Sequence, residues 1–398
     1  MSKRTIVAMP GDGIGKAVLD ETIRVLEAAG FDADYVEGDI GWEFWKNEGN
    51  PLPERTLKLI KEHKIGLFGA ITSKPKDAAF DELSPELQSK GLVYSSPIVG
   101  LRQHFGLDIC MRPCHTYKGN PLNFIRRAQG DEFDEPEVDV VIFRQNTEGL
   151  YGGVEWSNPP DNVYDALMSH PKFEINFGET PREEISVSTR IFTKKATERI
   201  LRAAFEHAKK YNYSSVTVCE KPNVIRETSG MMFKMAQEIQ KTEFPDIELW
   251  NTNIDAQMMW LTKNPEDYGV IVAGNMFGDI VSDGFAGLIG GLGFACSAQF
   301  NPDSGIGVFE PTHGSAPKYA DYDVSIVNPV AMIESACMML DFINENDIAA
   351  RIRKAVSEVI SEGKVKTYDM MKMRGKADVI NQGAASTMEM ADAVISKL

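Results

Sequence analysis

The stretch Val270–Asp283, VIVAGNMFGDIVSD, decides how the chain is read. It opens on a β-branched run, passes through Gly274 to Gly278, and then presents Asp279 and Asp283 four residues apart. A strand, a glycine turn and a helix is the expected order. On such a helix positions four apart share one face, so both carboxylates point the same way. Two like charges there repel. A divalent cation relieves the repulsion, and Mg²⁺ or Mn²⁺ suits the pair because hard cations prefer carboxylate oxygen. A solvated acidic face, or a pair favoured by the helix macrodipole, is the alternative these residues leave open.

Toward the amino terminus strand and helix patterns alternate. Thr5–Met9 reads as a strand, PGDGIG as a turn, and Lys16–Ala29 as a helix with Val18, Thr22, Val25, Leu26 and Ala29 inside and Gly30 as its cap. Phe31–Glu37 and Ile65–Ile71 read as strands and Pro53–Lys64 as a helix. Val138–Phe143 and Ser215–Cys219 are further strands, with a helix over Ala196–Tyr211. This alternation predicts an α/β fold with a largely parallel sheet. Gly152–Glu184 lacks helical periodicity and reads as a lid or an oligomer contact. From Val330 the chain is helical again. Asp347 is expected to cap the next helix, Ile348, Ile352, Val356 and Val359 to form its inner stripe, and Gly363 to end it.

With 398 residues the chain can build two domains around a substantial core. Hydrophobic residues at 43% and charged residues at 25% are those of an ordinary globular protein. A net charge of -16 argues against nucleic acid or an anionic membrane as partner. Five cysteines without a CxxC pair point to a reducing compartment. Nothing before Thr5 reads as a leader, and the apolar run Gly284–Ala298 is too short and glycine-rich to span a bilayer, so a cytoplasmic protein is expected.

Other residues suggest chemistry by type and setting. PGDGIG has Lys16 where a dinucleotide fingerprint needs its third glycine, so a tight structural turn is the better reading. Arg102, Arg112 and Arg144 each adjoin apolar, strand-like sequence. Guanidinium grips carboxylates bidentately, and three such groups near a metal suit a substrate with several carboxylates. An ordinary salt bridge is the alternative for any one of them. Tyr151 and Lys221 are candidate proton carriers, the lysine following the apolar strand Val216–Cys219. His313 lies in FEPTHGSAPKY, a loop of small residues able to wrap a nucleotide, with Lys318 and Tyr319 after it.

Together these segments resemble the β-decarboxylating dehydrogenases, the family of isocitrate, isopropylmalate, homoisocitrate and tartrate dehydrogenases. The likeness runs in order through PGDGIG, LRQHFGLDICMRP, VIFRQNTEGLYGGVEW, the lysine strand, GNMFGDIVSD and FEPTHGSAPKYA. It implies a fold with a large domain (1–108 and 290–398) and a small domain (109–289) around a shared sheet, with a clasp at about 149–190, and not a Rossmann domain. It implies that Arg102, Arg112 and Arg144 hold the substrate's carboxylates, with Ser96 at the distal end. Asp255, Asp279 and Asp283 become metal carboxylates, and Tyr151 and Lys221 the acid–base pair. In this family the lysine and one aspartate come from the neighbouring subunit, so a homodimer with shared active sites is implied. The coenzyme is expected on Thr72, His313, Gly314, Ala316 and Asn328, with Asn223 and Glu310 also in reach. Lys318, Tyr319, Tyr368 and Lys372 fall where NADP-dependent relatives hold the 2′-phosphate.

NADP is therefore the expected coenzyme, with NAD the alternative. Ser96 resembles isocitrate enzymes, but Ile98 stands where those place an asparagine, as some homoisocitrate enzymes do. YKGNP, YGGVEW and the Lys318–Tyr319 pair point back to isocitrate. Isopropylmalate fits less well, because Ser95–Ser96 lacks leucines to receive its branched end. Pro75–Tyr94 is longer than the family resemblance leads one to expect and is placed at the pocket rim. A non-catalytic regulatory subunit is the reading from another class; it would lose a metal carboxylate or a proton carrier, and all five positions are kept here.

Overall fold

A computed structural model describes residues 3–128, 130 and 132–398. A ten-stranded sheet runs through the molecule in the order Glu248–Asn253, Ser215–Glu220, Val270–Ala273, Asp139–Gln145, Ile109–His115, Cys296–Asn301, Ile306–Pro311, Ile65–Ala70, Arg4–Gly11 and Ala33–Glu37. Pairing is parallel towards both edges. The three antiparallel pairings sit together at the centre, where Ile109–His115 and Cys296–Asn301 meet. The sheet is thus two parallel halves joined by an antiparallel seam.

Helices cover both faces, each for a reason visible in its residues. Gly15–Ala28 buries Val18, Leu19, Thr22, Val25 and Leu26, and Gly30 follows with φ +83°. A fully buried aliphatic side chain of this kind stabilises by about 1.5–3 kcal/mol relative to exposure. Lys194–Tyr211 packs on Asp139–Gln145 and Val270–Ala273. Val330–Phe342 is buried from Val330 through Leu340 and packs on Cys296–Asn301 and Ile306–Pro311.

Two expectations need correction. Gly152–Glu184 contains helices at Asp161–Met168 and Pro171–Phe177, flanked by the antiparallel strands Glu155–Ser157 and Ser186–Ser188. Neither helix buries a residue within one chain, which is why no inner stripe marks them. Pro171 starts the second, and His170 caps it by accepting from Lys172 N at 3.2 Å. The helix Asn346–Glu362 has Glu345 at its cap position, so Asp347 sits in the first turn and acts there on the macrodipole. Ile352, Val356 and Val359 are its buried stripe; Ile348 packs at the margin.

Pro75–Tyr94 forms the short helices Lys76–Asp81 and Pro85–Gln88 around a separate small core of Trp42, Trp45, Leu83 and Tyr94. Trp45 Nε1 donates to Ala79 O at 2.8 Å, and Tyr94 OH donates to Thr72 O at 2.9 Å.

Candidate active site

In the parallel half, Arg144, Gly274, Lys221 and Asp255 all stand at the carboxyl ends of neighbouring strands. Open α/β sheets bind ligands at that edge. Val270–Ala273 leads through Gly274 into the helix Asn275–Leu288, as its sequence predicts. The turn is packed too closely for any other residue, since a Cβ on Gly278 would lie 2.8 Å from Arg144 Cβ. That close approach sets Asp279 against the arginines.

Asp279 Oδ1 accepts from Arg112 Nη1 at 3.0 Å and also from Arg144 Nη1. Arg112 Nη1 reaches Ser282 Oγ at 2.7 Å and Asp283 Oδ1 at 3.4 Å, and Arg144 Nε donates to Asn275 Oδ1 at 2.9 Å. All three arginines are buried. Burial, then the charges of Arg112 and Arg102, pulls Arg144 down to about 10. Asp279, Asp283 and Glu310 match the three cations in number, yet among the described residues Arg112 Nε is a buried donor with no partner. A further carboxylate is a group that would answer it.

Arg102 comes from the helix Pro97–Phe105, which Ser96 precedes as its cap residue, half-buried. Its Nε donates to Gln299 Oε1 and its Nη2 lies 3.3 Å from Glu310 Oε1. Glu310, expected on the coenzyme, is therefore engaged by Arg102 and by Gln299 Nε2, and burial raises its pKa. Ile98 is buried among Val7, Met9 and Leu101, so the place of the family's asparagine faces core.

Tyr151 OH lies 3.5 Å from Asp279 Oδ2, and its ring centroid is 5.7 Å from Arg144 Cζ. Partial burial raises its pKa, which keeps the phenol protonated at neutral pH. Lys221 and Asp255 form an ion pair of their own, and the hydrogen bond from Lys221 holds Asp255 below the usual carboxylate range. One chain does not assemble the three expected carboxylates. Among the described residues no group of three or more His, Cys, Asp or Glu is placed to hold a metal ion.

Asp279 and Asp283 still fit a hard cation in part. Among the described residues Asp279 Oδ2 has only the long tyrosine contact, and the Asp283 carboxylate is half-exposed with one partner at 3.4 Å. Two carboxylates on one helical face supply oxygen donors of the right kind.

Of the residues expected at the coenzyme, Thr72 and the loop of His313 and Gly314 meet at the end of Ile65–Ala70. Thr72 Oγ1 and Ser315 Oγ are 2.6 Å apart, and Ile14 N donates to Ser315 O at 2.9 Å. The half-buried Asp12, taken only as part of a turn, accepts from Trp42 N at 2.7 Å and Thr72 N at 2.8 Å. Gly13 has φ +57°, and a Cβ there would meet Ser315 O at 2.1 Å. His313 is half-buried, with Nδ1 3.0 Å from Gly314 O and a buried Nε2 that has no partner; burial lowers its pKa. Ala316 takes φ +37°. Lys318 Nζ lies 4.6 Å from the Tyr319 ring centroid, and the Tyr319 and Tyr368 centroids are 5.7 Å apart. Asn328 Nδ2 donates to Asp369 Oδ2 at 3.2 Å, and Lys372 is exposed with φ +56°. Asn223 is exposed in the turn after Lys221, outside this loop.

Sequence reasoning missed Ser282, Asn275, Gln299 and Asp12, which orient the charged groups. Ser282 and Asp12 lie inside the motifs quoted above, so their polar character within otherwise apolar or glycine-rich stretches was the available signal.

Comparison with known proteins identifies the family and the fold. The profile described as isocitrate/isopropylmalate dehydrogenase matches residues 5–394. Protein DlpA of Legionella pneumophila is 38% identical over 98% of this chain, which spans 58% of that protein's length. Homoisocitrate dehydrogenase of Methanocaldococcus jannaschii is 38% identical over 90% of this chain and 91% of its own. Isocitrate dehydrogenase [NADP] of Archaeoglobus fulgidus is 35% identical over 98% and 91%. The crystal structure of isocitrate dehydrogenase from Methylococcus capsulatus superposes with a TM-score of 0.79 at 34% identity, covering 99% of each chain. The chain belongs to the isocitrate/isopropylmalate dehydrogenase family of β-decarboxylating dehydrogenases.

Proposed function

We propose that the protein catalyses NADP-dependent oxidative decarboxylation of isocitrate to 2-oxoglutarate and carbon dioxide, with Mg²⁺ or Mn²⁺. The observation that carries this reading is the meeting of buried Arg112 and Arg144 on Asp279, with Arg102 held on Gln299 and Glu310 and Arg112 Nε left without a partner among the described residues, a donor set suited to a polycarboxylate. Lys318 beside Tyr319 and Tyr368 offers a cation for a 2′-phosphate and is the ground for NADP.

Arg102, Arg112 and Arg144 grip and orient the acid, and their burial gives the contacts strength that water would screen. Lys221 accepts the proton of the substrate's hydroxyl. Tyr151, held beside Asp279, returns a proton to the carbon that carbon dioxide leaves. When bound, the nicotinamide accepts the hydride and the cation draws negative charge from the oxygens of the reacting acid. Asp279 and Asp283 of one subunit and Asp255 of the other would hold that cation.

A homodimer is part of this reading. Trp260 lies on the helix of Asp255 and Ile280 on the helix of Asp279, and both are exposed, as are Ile175 (80%) and Phe177 of the clasp. Large apolar side chains uncovered around a site ask for a protein partner, and a second copy is the one we assign. We also assign two units, 1–108 with 290–398 and 109–289, because each contributes one contiguous half of the sheet.

Homoisocitrate is the second reading, favoured by Ile98 facing core where isocitrate enzymes keep an asparagine. Purified protein with Mg²⁺, assayed on isocitrate, homoisocitrate and isopropylmalate with both coenzymes, tests the choice. The highest specificity constant is expected for isocitrate with NADP. A higher value for homoisocitrate establishes the second reading, and no reduced coenzyme with any acid leaves a non-catalytic binding subunit.

A further inference from the structure

The sheet has two faces, and the arginine site occupies one. Along Ile109–His115 the side chains alternate. Arg112 and Cys114 turn towards the helix Asn275–Leu288 and meet Ser282. Met111, Pro113 and His115 turn the other way. On that reverse face the covering helices part: Lys194–Tyr211 lies over one half of the sheet, and Val330–Phe342, with Asn346–Glu362 packed on it, over the other. Between them a cleft of about 710 Å³ follows the antiparallel seam. Small-molecule sites occupy roughly 300–1,000 Å³.

The walls define what would fit. Met111, Pro113 and Val141 make an apolar floor, and Met338 of Val330–Phe342 lines it from the side. On one side the His207 ring lies 4.5 Å from that of Tyr211 and 5.9 Å from that of Tyr213, nearly parallel to the latter. Lys210 places its ammonium 5.0 Å from the Tyr211 centroid. Burial, with Lys210 and His115 adding to it, pulls His207 down to about 4, so the ring is a neutral hydrogen-bonding group. On the other side Arg353 is already matched by Glu334 at 3.3 Å and Asp341 at 2.7 Å, and Tyr117 OH donates to Glu334 at 2.9 Å.

We propose that this reverse-face cleft binds a small aromatic monocarboxylate, its ring against Tyr211 and Tyr213 and its anion on Lys210, and that occupancy changes substrate affinity. The apolar floor disfavours sugars and polyanions. The acids paired with Arg353 repel a second negative charge, which excludes the enzyme's own substrate class. The link to substrate rests on the two-unit reading: a ligand here touches both helical layers and presses on the back of the strand that presents Arg112.

The test titrates 2-naphthoate into the full-length protein and follows its fluorescence, comparing wild type with Lys210→Glu and Met338→Trp, each checked for folding by circular dichroism. Binding is expected in wild type and at least about tenfold weaker in both variants. Isocitrate affinity, measured by titration without coenzyme, is expected to change about threefold in wild type saturated with 2-naphthoate. No binding up to about 1 mM, or equal binding in both variants, overturns the site. Binding with unchanged isocitrate affinity overturns the link. If isocitrate itself does not bind, the reaction assignment fails while the naphthoate titration still decides the cleft.

Discussion

At the scale of single residues, Asp279 accepts from two buried arginines, Arg112 and Arg144, through one oxygen, and its other oxygen lies 3.5 Å from the phenol of Tyr151. Asp279→Asn is expected to lower kcat/KM by roughly 10²–10³-fold and to lower the melting temperature while the chain still folds, because an amide keeps the shape but leaves Arg144 without its carboxylate. Steady-state kinetics beside a thermal melt checks this, and near-normal turnover would remove Asp279 from the cation's ligands. Lys318→Asp is expected to move the ratio of specificity constants from NADP towards NAD, since a carboxylate repels the 2′-phosphate. His207 gives a pH signature. Its folded pKa of about 4 lies below the unfolded value of roughly 6.5, so the unfolded chain binds more protons between them and stability falls as pH drops through that window. Urea unfolding from pH 7 to pH 4 is expected to show a shallower loss in His207→Gln than in wild type.

At the scale of elements, the strand ends are held by a buried carboxylate that no motif announces. Glu220 accepts from Gly274 N at 2.8 Å, Ser229 Oγ at 2.5 Å and Arg190 Nη2 at 2.7 Å, with its side chain fully buried. Arg190 is itself sandwiched by the rings of Phe192 and Phe277. One side chain thereby ties the Lys221 strand to the turn that launches the Asp279 helix. Glu220→Gln is expected to cost about 3 kcal/mol in denaturant unfolding, because it leaves Arg190 buried without its counterion. The strand, turn and helix at Val270–Leu288 could be read directly, since β-branched residues, glycines and paired carboxylates each have one natural setting. The clasp helices could not, because neither has a face buried by its own chain. Gln299, and the contact of Glu310 with Arg102, were missed for a different reason: Arg102 lies about two hundred residues away, and no local pattern encodes that contact.

For the whole molecule, the separate Lys221–Asp255 and Asp279–Asp283 groups make a sharp prediction. If each active site draws on both copies, mixing inactive Lys221→Met protein with inactive Asp279→Asn protein and reassorting subunits should restore about a quarter of wild-type activity by statistical pairing. A mixture that stays dead after proven exchange would place the whole site in one chain. The same division of the sheet has a further consequence during synthesis. One half, Ile109–His115 through Val270–Ala273, has all its internal pairings before Cys296 is made and lacks only the seam partner of Ile109–His115, whereas Ile65–Ala70 must wait for Ile306–Pro311. The earliest-translated strands therefore keep an open edge until the nascent chain is three-quarters finished, and a pause or truncation in that interval exposes them to pairing with a stranger.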